Sequence, residues 1–531
     1  MNELAGTGTL VRLALHRSRV LIGVWLAVFV GMAALSSSAT VDLYPTAADR
    51  LQAADAVNQS SALVAFYGRI YDPTSIGAIA MIKMGGIGAV FVAMLAVVLV
   101  VRHTRADEES GRTELLGATA TGRLAPLAAA LTVVALTSMA LAVLTAAGLA
   151  ATGLPVDGSI AFGLAWAGVG LAFGAIAAVI VQLTPSARTA TSLSAGVLAA
   201  VYLVRAVGDA ADEAGPRWLS WLSPIGWGQQ FRPFAGNRWW VLLITLGFTA
   251  VVGIGAFALA ARRDLGTGAI PTRPGPATAS PGLRSSLALA WRLHRVSFIG
   301  WAVGFAGMGA LLGNLASSVE SFMGSEQARD LFTKLGGETA LMDAFLAVEL
   351  SFAGIVAAAY GISVIVRLGT EEHELRTEPV LATAVSRIRW AGGHIAVAVG
   401  GTTALLVLAG VSAGLAHGAA IGDLGETGQV VVAALVQLPA ALVLVAIAIA
   451  GYGLGPRATT VGWIALAAFV LLAELGPLLN LSQWVLDLSP FAHVPKLPGG
   501  AFTATPVVAL SLVAVAIVAA GLARYRHRDI V

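Results

Sequence analysis

The sequence predicts an all-α integral membrane protein with twelve transmembrane helices, arranged as two parallel six-helix repeats. Composition, the spacing of apolar runs and an internal duplication lead there. Of 531 residues, 57% are apolar and only 11% charged, whereas a soluble protein carries roughly 25% charge. Such a chain cannot cover its apolar surface in water, so lipid must solvate most of it. The absence of cysteine removes disulfides, thiolate nucleophiles and zinc–thiolate sites. A net charge of +3 gives no reason to expect a nucleic-acid partner.

An apolar run needs about 20 residues to cross a ~30 Å hydrocarbon core. Runs of that length fall near 20–39, 78–101, 125–152, 160–183, 189–206 and 240–261. A second set falls near 296–316, 346–366, 391–417, 427–454, 459–478 and 504–523. Between the sets, Gly266 to Ser286 holds Pro271, Pro274, Pro276 and Pro281 and reads as a linker. The expected organisation is a first six-helix half (1–265), a cytoplasmic Pro/Gly-rich linker (266–286) and a second six-helix half (287–531).

The two sets resemble each other in order. Leu15-His16-Arg17 corresponds to Leu293-His294-Arg295, and Val101-Arg102 to Val366-Arg367. Arg112-Thr113-Glu114 corresponds to Arg376-Thr377-Glu378. Leu222-Ser223-Pro224 corresponds to Leu488-Ser489-Pro490, and Arg263-Asp264-Leu265 to Arg528-Asp529-Ile530. Six spans return the chain to its starting side, so the repeats are parallel. The internal copy at 296–316 cannot be a cleaved leader, so the first apolar run is read as a retained span. With the N-terminus inside, about 22 of the 32 lysines and arginines fall on the inner side. Both termini are therefore expected in the cytoplasm of a plasma-membrane protein.

The outer connections 207–239 and 479–503 each carry Ser-Pro at the matching place, and the first gathers Trp218, Trp221, Trp227, Trp239 and Trp240. Tryptophan favours the headgroup level. Besides a plain aromatic belt, this pattern fits a short re-entrant helix in each half, which is the preferred expectation.

The densest charge follows the second span of each half, at Arg102–Leu116 and Arg367–Leu381. Thr104 is expected to cap a short helix whose first turn holds Asp107 and Glu108, where carboxylates favour the positive dipole end. Glu108, Arg112 and Leu115 or Leu116 would then share a helical face. A solvated loop has no physical reason to keep Arg-Thr-Glu twice. A docking surface does, and two copies imply two equivalent partners.

These elbows, with their acidic pair, Arg-Thr-Glu and the tails Leu116-Gly117-Ala118-Thr119 and Leu381-Ala382-Thr383, resemble the coupling-helix region of ABC-2-type exporter permeases. The run from Leu222 to Phe234, with Arg238-Trp239-Trp240, is similar to the fused two-half permeases of actinobacterial polyketide-antibiotic (tetronasin-type) exporters. The resemblance spans essentially the whole chain. It implies six spans per half and short helices seated in grooves of two separate P-loop ATPase subunits, which bind the ATP and magnesium. It also implies that Glu108, Glu109, Arg112 and Glu114 couple one half to its ATPase, and Glu371, Glu372, Arg376 and Glu378 the other. The second copy departs from the first at Leu375 and Pro379, in place of Gly111 and Leu115.

A phosphate-cradling loop needs Gly-Lys followed by Ser or Thr. Lys83, Lys334 and Lys496 are the only lysines, and none has that setting. The chain carries no such ATP site, so it is expected to be no enzyme and to hold no cofactor. Lys83 and Glu349 lie 19 and 18 residues before Arg102 and Arg367, about 28 Å along a helix. Both should stand near the outer boundary, either snorkelling to headgroups or closing the pathway as an outer gate. Glycines at 170 and 174 and at 309 and 313 have the four-residue spacing of close helix packing. His394 is expected at an interface.

The leading function is the permease subunit of an ATP-driven exporter of hydrophobic or amphipathic compounds, working by alternating access with lipid around it. A proton-coupled twelve-helix drug transporter is the alternative, but it usually needs intramembrane acids, which are nearly missing. A membrane-embedded transferase would need clustered catalytic carboxylates at a loop, and the outer acids are scattered.

Overall fold

The computed structural model describes residues 3–211, 215–264, 266–270, 277–321, 338–475 and 482–529. Among the described residues there is no strand, and eleven helices are long and apolar enough to cross a membrane. The expected eleventh span, at 459–478, is a helix over Val461–Leu475 of 15 residues, about 22 Å against a ~30 Å core. Gly455 and Pro456 open it with a 3-10 turn over Pro456–Thr460 instead of a full helical turn. Residues 476–481 lie outside the described set, as do Pro271, Pro274, Pro276 and Glu326.

The chain folds as two compact units, Met1–Gly275 and Pro276–Val531. In the first unit, α1 (Thr7–Leu43) leads into two helices that the hydropathy pattern hides, α2 (Ala47–Gln59) and α3 (Ser61–Tyr67). Their legible signal is Thr46-x-x-Asp49, a reciprocal capping box in which the Asp49 backbone N–H donates to the Thr46 hydroxyl and Thr46 returns the bond. The second span is interrupted. α4 (Ile76–Lys83) passes through a π-helical turn at Met84–Gly88 into α5 (Ala89–His103). Such a turn disturbs the regular backbone ladder, and here the Trp166 indole N–H donates to the Met84 carbonyl at 3.1 Å. Gly86 lies against the Tyr67 carbonyl, so a side chain there has no room.

After two short helices, α6 (Arg105–Glu109) and α7 (Arg112–Gly117), come the spans α8 (Ala125–Ala151), α9 (Val156–Leu183) and α10 (Ala187–Ala210). A 3-10 stretch at Arg217–Leu222 and α11 (Pro224–Gln230) precede the last span, α12 (Val241–Arg262). α9 is the axis of this unit, packed against α5, α8 and α12. Its Trp166 and Phe173 are fully buried. Trp227 of α11 is buried against Ala161 and Ala165, whereas Trp218, Trp239 and Trp240 are exposed.

The second unit holds the spans α13 (Ser286–Ser321), α14 (Glu338–His373) and, after the short α15 (Glu378–Leu381), α16 (Arg387–Ile421). α17 (Thr427–Val436) and α18 (Leu438–Leu454) form one further span. α19 (Val461–Leu475), the short α20 (Gln483–Leu486) and the last span α21 (Ala504–His527) complete it. The most enclosed spans are α14 and α17–α18, the second and fourth of this half, matching α4–α5 and α9 of the first.

The glycine pairs behave as packing residues. Gly309 and Gly313 on α13 face the backbone carbonyls of Ala409 and Ala413 on α16, and Gly170 and Gly174 face Ser138 and Val134 on α8. Without a hydrophobic drive between helices in lipid, such close approach is what holds them. Replacing Gly309 and Gly313 together by alanine should therefore destabilise the second unit by about 1–3 kcal/mol per site through overpacking. Thermal unfolding in detergent checks this, and an unchanged midpoint would contradict the contact.

Candidate functional site

Each elbow sits at the face of its half that carries that half's chain ends. In the first, the backbone N–H groups of Gly122 and Leu124 donate to the Ala5 and Glu3 carbonyls. Thr104 stands at the start of α6, but it does not cap it. Its hydroxyl donates back to the Val100 carbonyl at 2.6 Å, so it is committed to the preceding turn. The expected common face of Glu108 and Arg112 is also absent. Gly111 at φ +72° breaks the chain into α6 and α7.

That break turns the acids inward. Asp107 accepts a two-pronged contact from Arg17 at 2.8 and 2.9 Å and a third bond from Arg112 at 3.0 Å. Glu108 accepts two bonds from Arg263 at 2.9 and 3.1 Å, and Arg105 pairs with it at 3.0 Å. Bidentate guanidinium–carboxylate contacts are the strongest pairs available to side chains. Arg105 is fully buried and donates to the Val181 and Thr267 carbonyls. Glu109 accepts from the Ala187 backbone N–H at 2.9 Å, at the first turn of α10, where the helix dipole favours a carboxylate. Arg112 and Glu114 face out.

The second elbow repeats the arrangement 264 residues later. Glu371 and Glu372 are buried. Glu371 lies 3.4 Å from Arg367 and 3.6 Å from Arg376. Glu372 accepts from the Tyr452 hydroxyl at 2.6 Å and forms an ion contact at 2.6 Å with Arg528, without hydrogen-bond alignment. The Arg528 guanidinium also lies over the Tyr452 and Tyr525 rings, 5.5 and 5.4 Å from their centroids. Arg376, Glu374 and Glu378 are exposed.

Three correspondences are geometric and not merely sequential. Arg263 holds Glu108 as Arg528 holds Glu372. Arg112 pairs with Asp107 as Arg376 does with Glu371. Arg123, at the entry to α8, donates to the Arg263 carbonyl, and Arg387, at the entry to α16, donates to that of Arg528, both at 2.5 Å. Even the turn persists: Leu375 occupies φ +59° where Gly111 occupies +72°. A β-carbon in that conformation costs about 1 kcal/mol, so the surrounding contacts must impose it. Sequence reasoning found Arg263 and Arg528 as repeated residues but missed them as the partners of the acids.

Lys83 is exposed at the end of α4, immediately before the π-helical turn, with its Nζ 5.9 Å from the Tyr67 ring centroid. Glu349 is half-buried on α14. His394, near the start of α16, is fully buried among protein side chains. Its Nδ1 lies 3.0 Å from His294 Nε2 and its ring packs on Trp390.

Residues 8–261 and 283–526 match the family described as "Multidrug efflux system permease Rv1217c, C-terminal domain". The multidrug efflux system permease protein Rv1217c of Mycobacterium tuberculosis (strain ATCC 25618 / H37Rv) is 42% identical over 528 residues, covering 99% of this chain and 95% of that protein.

Removing one member of a buried pair leaves an uncompensated charge, at a cost of about 3–5 kcal/mol, whereas replacing both by apolar groups is close to neutral. Arg528→Ala should therefore lower unfolding stability by about 3 kcal/mol, and Arg528→Met/Glu372→Met by much less. Chemical unfolding of the purified chain distinguishes the two; equal losses would argue that the pair is not a buried ion pair.

Proposed function

This chain belongs to the multidrug efflux permease family, and on that premise we propose that it is the permease subunit of an ATP-driven exporter of hydrophobic and amphipathic compounds. The observation that carries the proposal is the paired elbow. Each half presents exposed charges, Arg112 and Glu114 or Arg376 and Glu378, directly outside a buried carboxylate–arginine lock. A surface built twice in this way suits two copies of one partner. ABC-2-type coupling, with ATP and magnesium held by two separate P-loop ATPase subunits, is the arrangement the motifs resemble.

Within this reading the residues divide their labour. Arg112, Glu114, Arg376 and Glu378 contact the ATPase. Glu109 ties α6 to the start of α10. Glu108 and Glu372 pass displacement inward, because a push on the elbow moves the arginines at the ends of α12 and α21, and Glu371 passes it to Arg367 on α14. A tight ion pair transmits force where a loose solvated contact would not. The cargo then moves by alternating access across the plasma membrane, with both termini in the cytoplasm. Two family matches of similar length, 8–261 and 283–526, support two equivalent six-span halves. Lys83 and Glu349 belong to this proposal as charges that control the outer end of the path.

Two substitutions test these roles in cells that depend on the transporter for drug tolerance. Glu114→Ala/Glu378→Ala should reduce export about a hundredfold, comparable to losing several charge-assisted contacts, with unchanged protein in the membrane. Normal export by that variant would overturn the docking assignment. Lys83→Ala/Glu349→Ala should slow export while leaving ATPase binding intact, and wild-type export rates would remove both residues from the path.

A further inference from the structure

The first half carries a second concentration of charge at the opposite end from its elbow, and it is built differently. Asp209 pairs with the fully buried Arg205 at 3.2 Å and accepts the Ser220 hydroxyl at 2.5 Å. Arg205 also donates to Gln229 and to the Ala65 and Phe66 carbonyls. That acid is therefore already committed. Around it, Arg69, Arg217, Arg232 and Arg238 line a cleft of about 420 Å³ with Tyr71 and Trp218. Among the described residues, none of these four arginines forms an ion pair.

Arg232 shows the imbalance most clearly. Its guanidinium lies 4.0 Å from the centroid of the Tyr71 ring, and its Nε is buried without a hydrogen-bond partner. Burial lowers its pKa, Tyr71 opposes that shift, and the Arg238 charge lowers it further. Among the described residues, no carboxylate lies within ion-pairing distance of Arg232 or Arg238. Clustered like charge with unspent donors is costly to hold unless an anion joins it. Arg69, Tyr71 and Arg232 also border a second, narrow cavity of about 60 Å³, lined mainly by apolar groups such as Met81, Ile82, Phe162 and Trp166. The matching segment of the second half, 482–503, contains no arginine, and its cavity carries only Lys496 as a cation.

We propose that the first half binds amphipathic anions across these two adjoining cavities, with a phosphate or carboxylate head on Arg69, Arg232 and Arg238 and an apolar tail against Met81, Phe162 and Trp166. The Tyr71–Arg232 stack marks the boundary between head and tail. This goes beyond the transport reading and does not depend on ATP coupling, since the site is complete within one half of this chain. The same chemistry is offered by an acidic phospholipid and by an acidic exported compound.

The test uses the full chain in phosphatidylcholine nanodiscs, titrated with dansylaminoundecanoic acid and separately with its uncharged methyl ester. The acid should bind saturably and the ester about tenfold more weakly, the effect of one lost charge-assisted contact. Arg232→Gln/Arg238→Gln should weaken the acid about tenfold and leave the ester unaffected. Equal affinity for acid and ester, or unchanged acid binding by the variant, would overturn the proposal. If the double variant fails to fold, inorganic phosphate competition on the unsubstituted chain decides it: displacement of the acid supports the arginine site and no displacement overturns it. Repeating the titration in phosphatidylglycerol nanodiscs separates the sources. Loss of acid binding there identifies a lipid headgroup as the occupant, and retained binding identifies a soluble amphiphile.

Discussion

A carboxylate at the edge of a hydrocarbon layer must be paired, and that constraint organises both ends of this fold. Asp107 and Glu108 in one half, and Glu371 and Glu372 in the other, lie where water is scarce and backbone is already committed. Asp107, Glu108 and Glu372 find arginine supplied by a distant segment, the helix entering the first span or the chain leaving the last, whereas Glu371 pairs with Arg367 and Arg376 close by in sequence. These pairs tie together chain segments separated by up to about 155 residues, so the end of the last span cannot shift without disturbing the elbow.

The same constraint explains why the two elbows can differ in detail and agree in plan. Arg105 fills a buried position in the first half by donating to two carbonyls, whereas the second half has Gly369 there, pressed against the Pro456 carbonyl. The first half turns at a glycine and the second forces Leu375 through the same backbone conformation. What is kept in both is the carboxylate–arginine lock and the arginine that clamps the carbonyl of the locking residue. A conformational signal needs a stiff element with two ends, and this one joins an exposed surface to a span end.

Much of this was legible in the sequence, because the signals are one-dimensional. Spans announce themselves by length and hydropathy, and 125–152, 240–261 and 427–454 fall within a few residues of α8, α12 and α17–α18. The elbows announce themselves by charge density and duplication. What stayed hidden depends on contacts made at long range. Nothing local to Glu108 marks Arg263 as its partner, and Thr104 looks like a cap because its competing bond to Val100 lies in the preceding turn. The π-helical turn after Lys83 is likewise invisible to periodicity, since its stabilising partner is Trp166, 82 residues away. The arginine cleft was passed over because its members are scattered from 69 to 238 and each resembles an ordinary loop cation.

The central claim is that this chain converts a force applied at its elbows by other polypeptides, and supplies no energy of its own. Reconstitution into sealed liposomes addresses it directly, comparing uphill accumulation of a fluorescent drug by the chain alone under a proton gradient with accumulation by the chain plus a candidate partner P-loop ATPase and ATP. The account predicts accumulation only in the second case. Accumulation driven by the gradient alone, and unchanged by nucleotide, would contradict it.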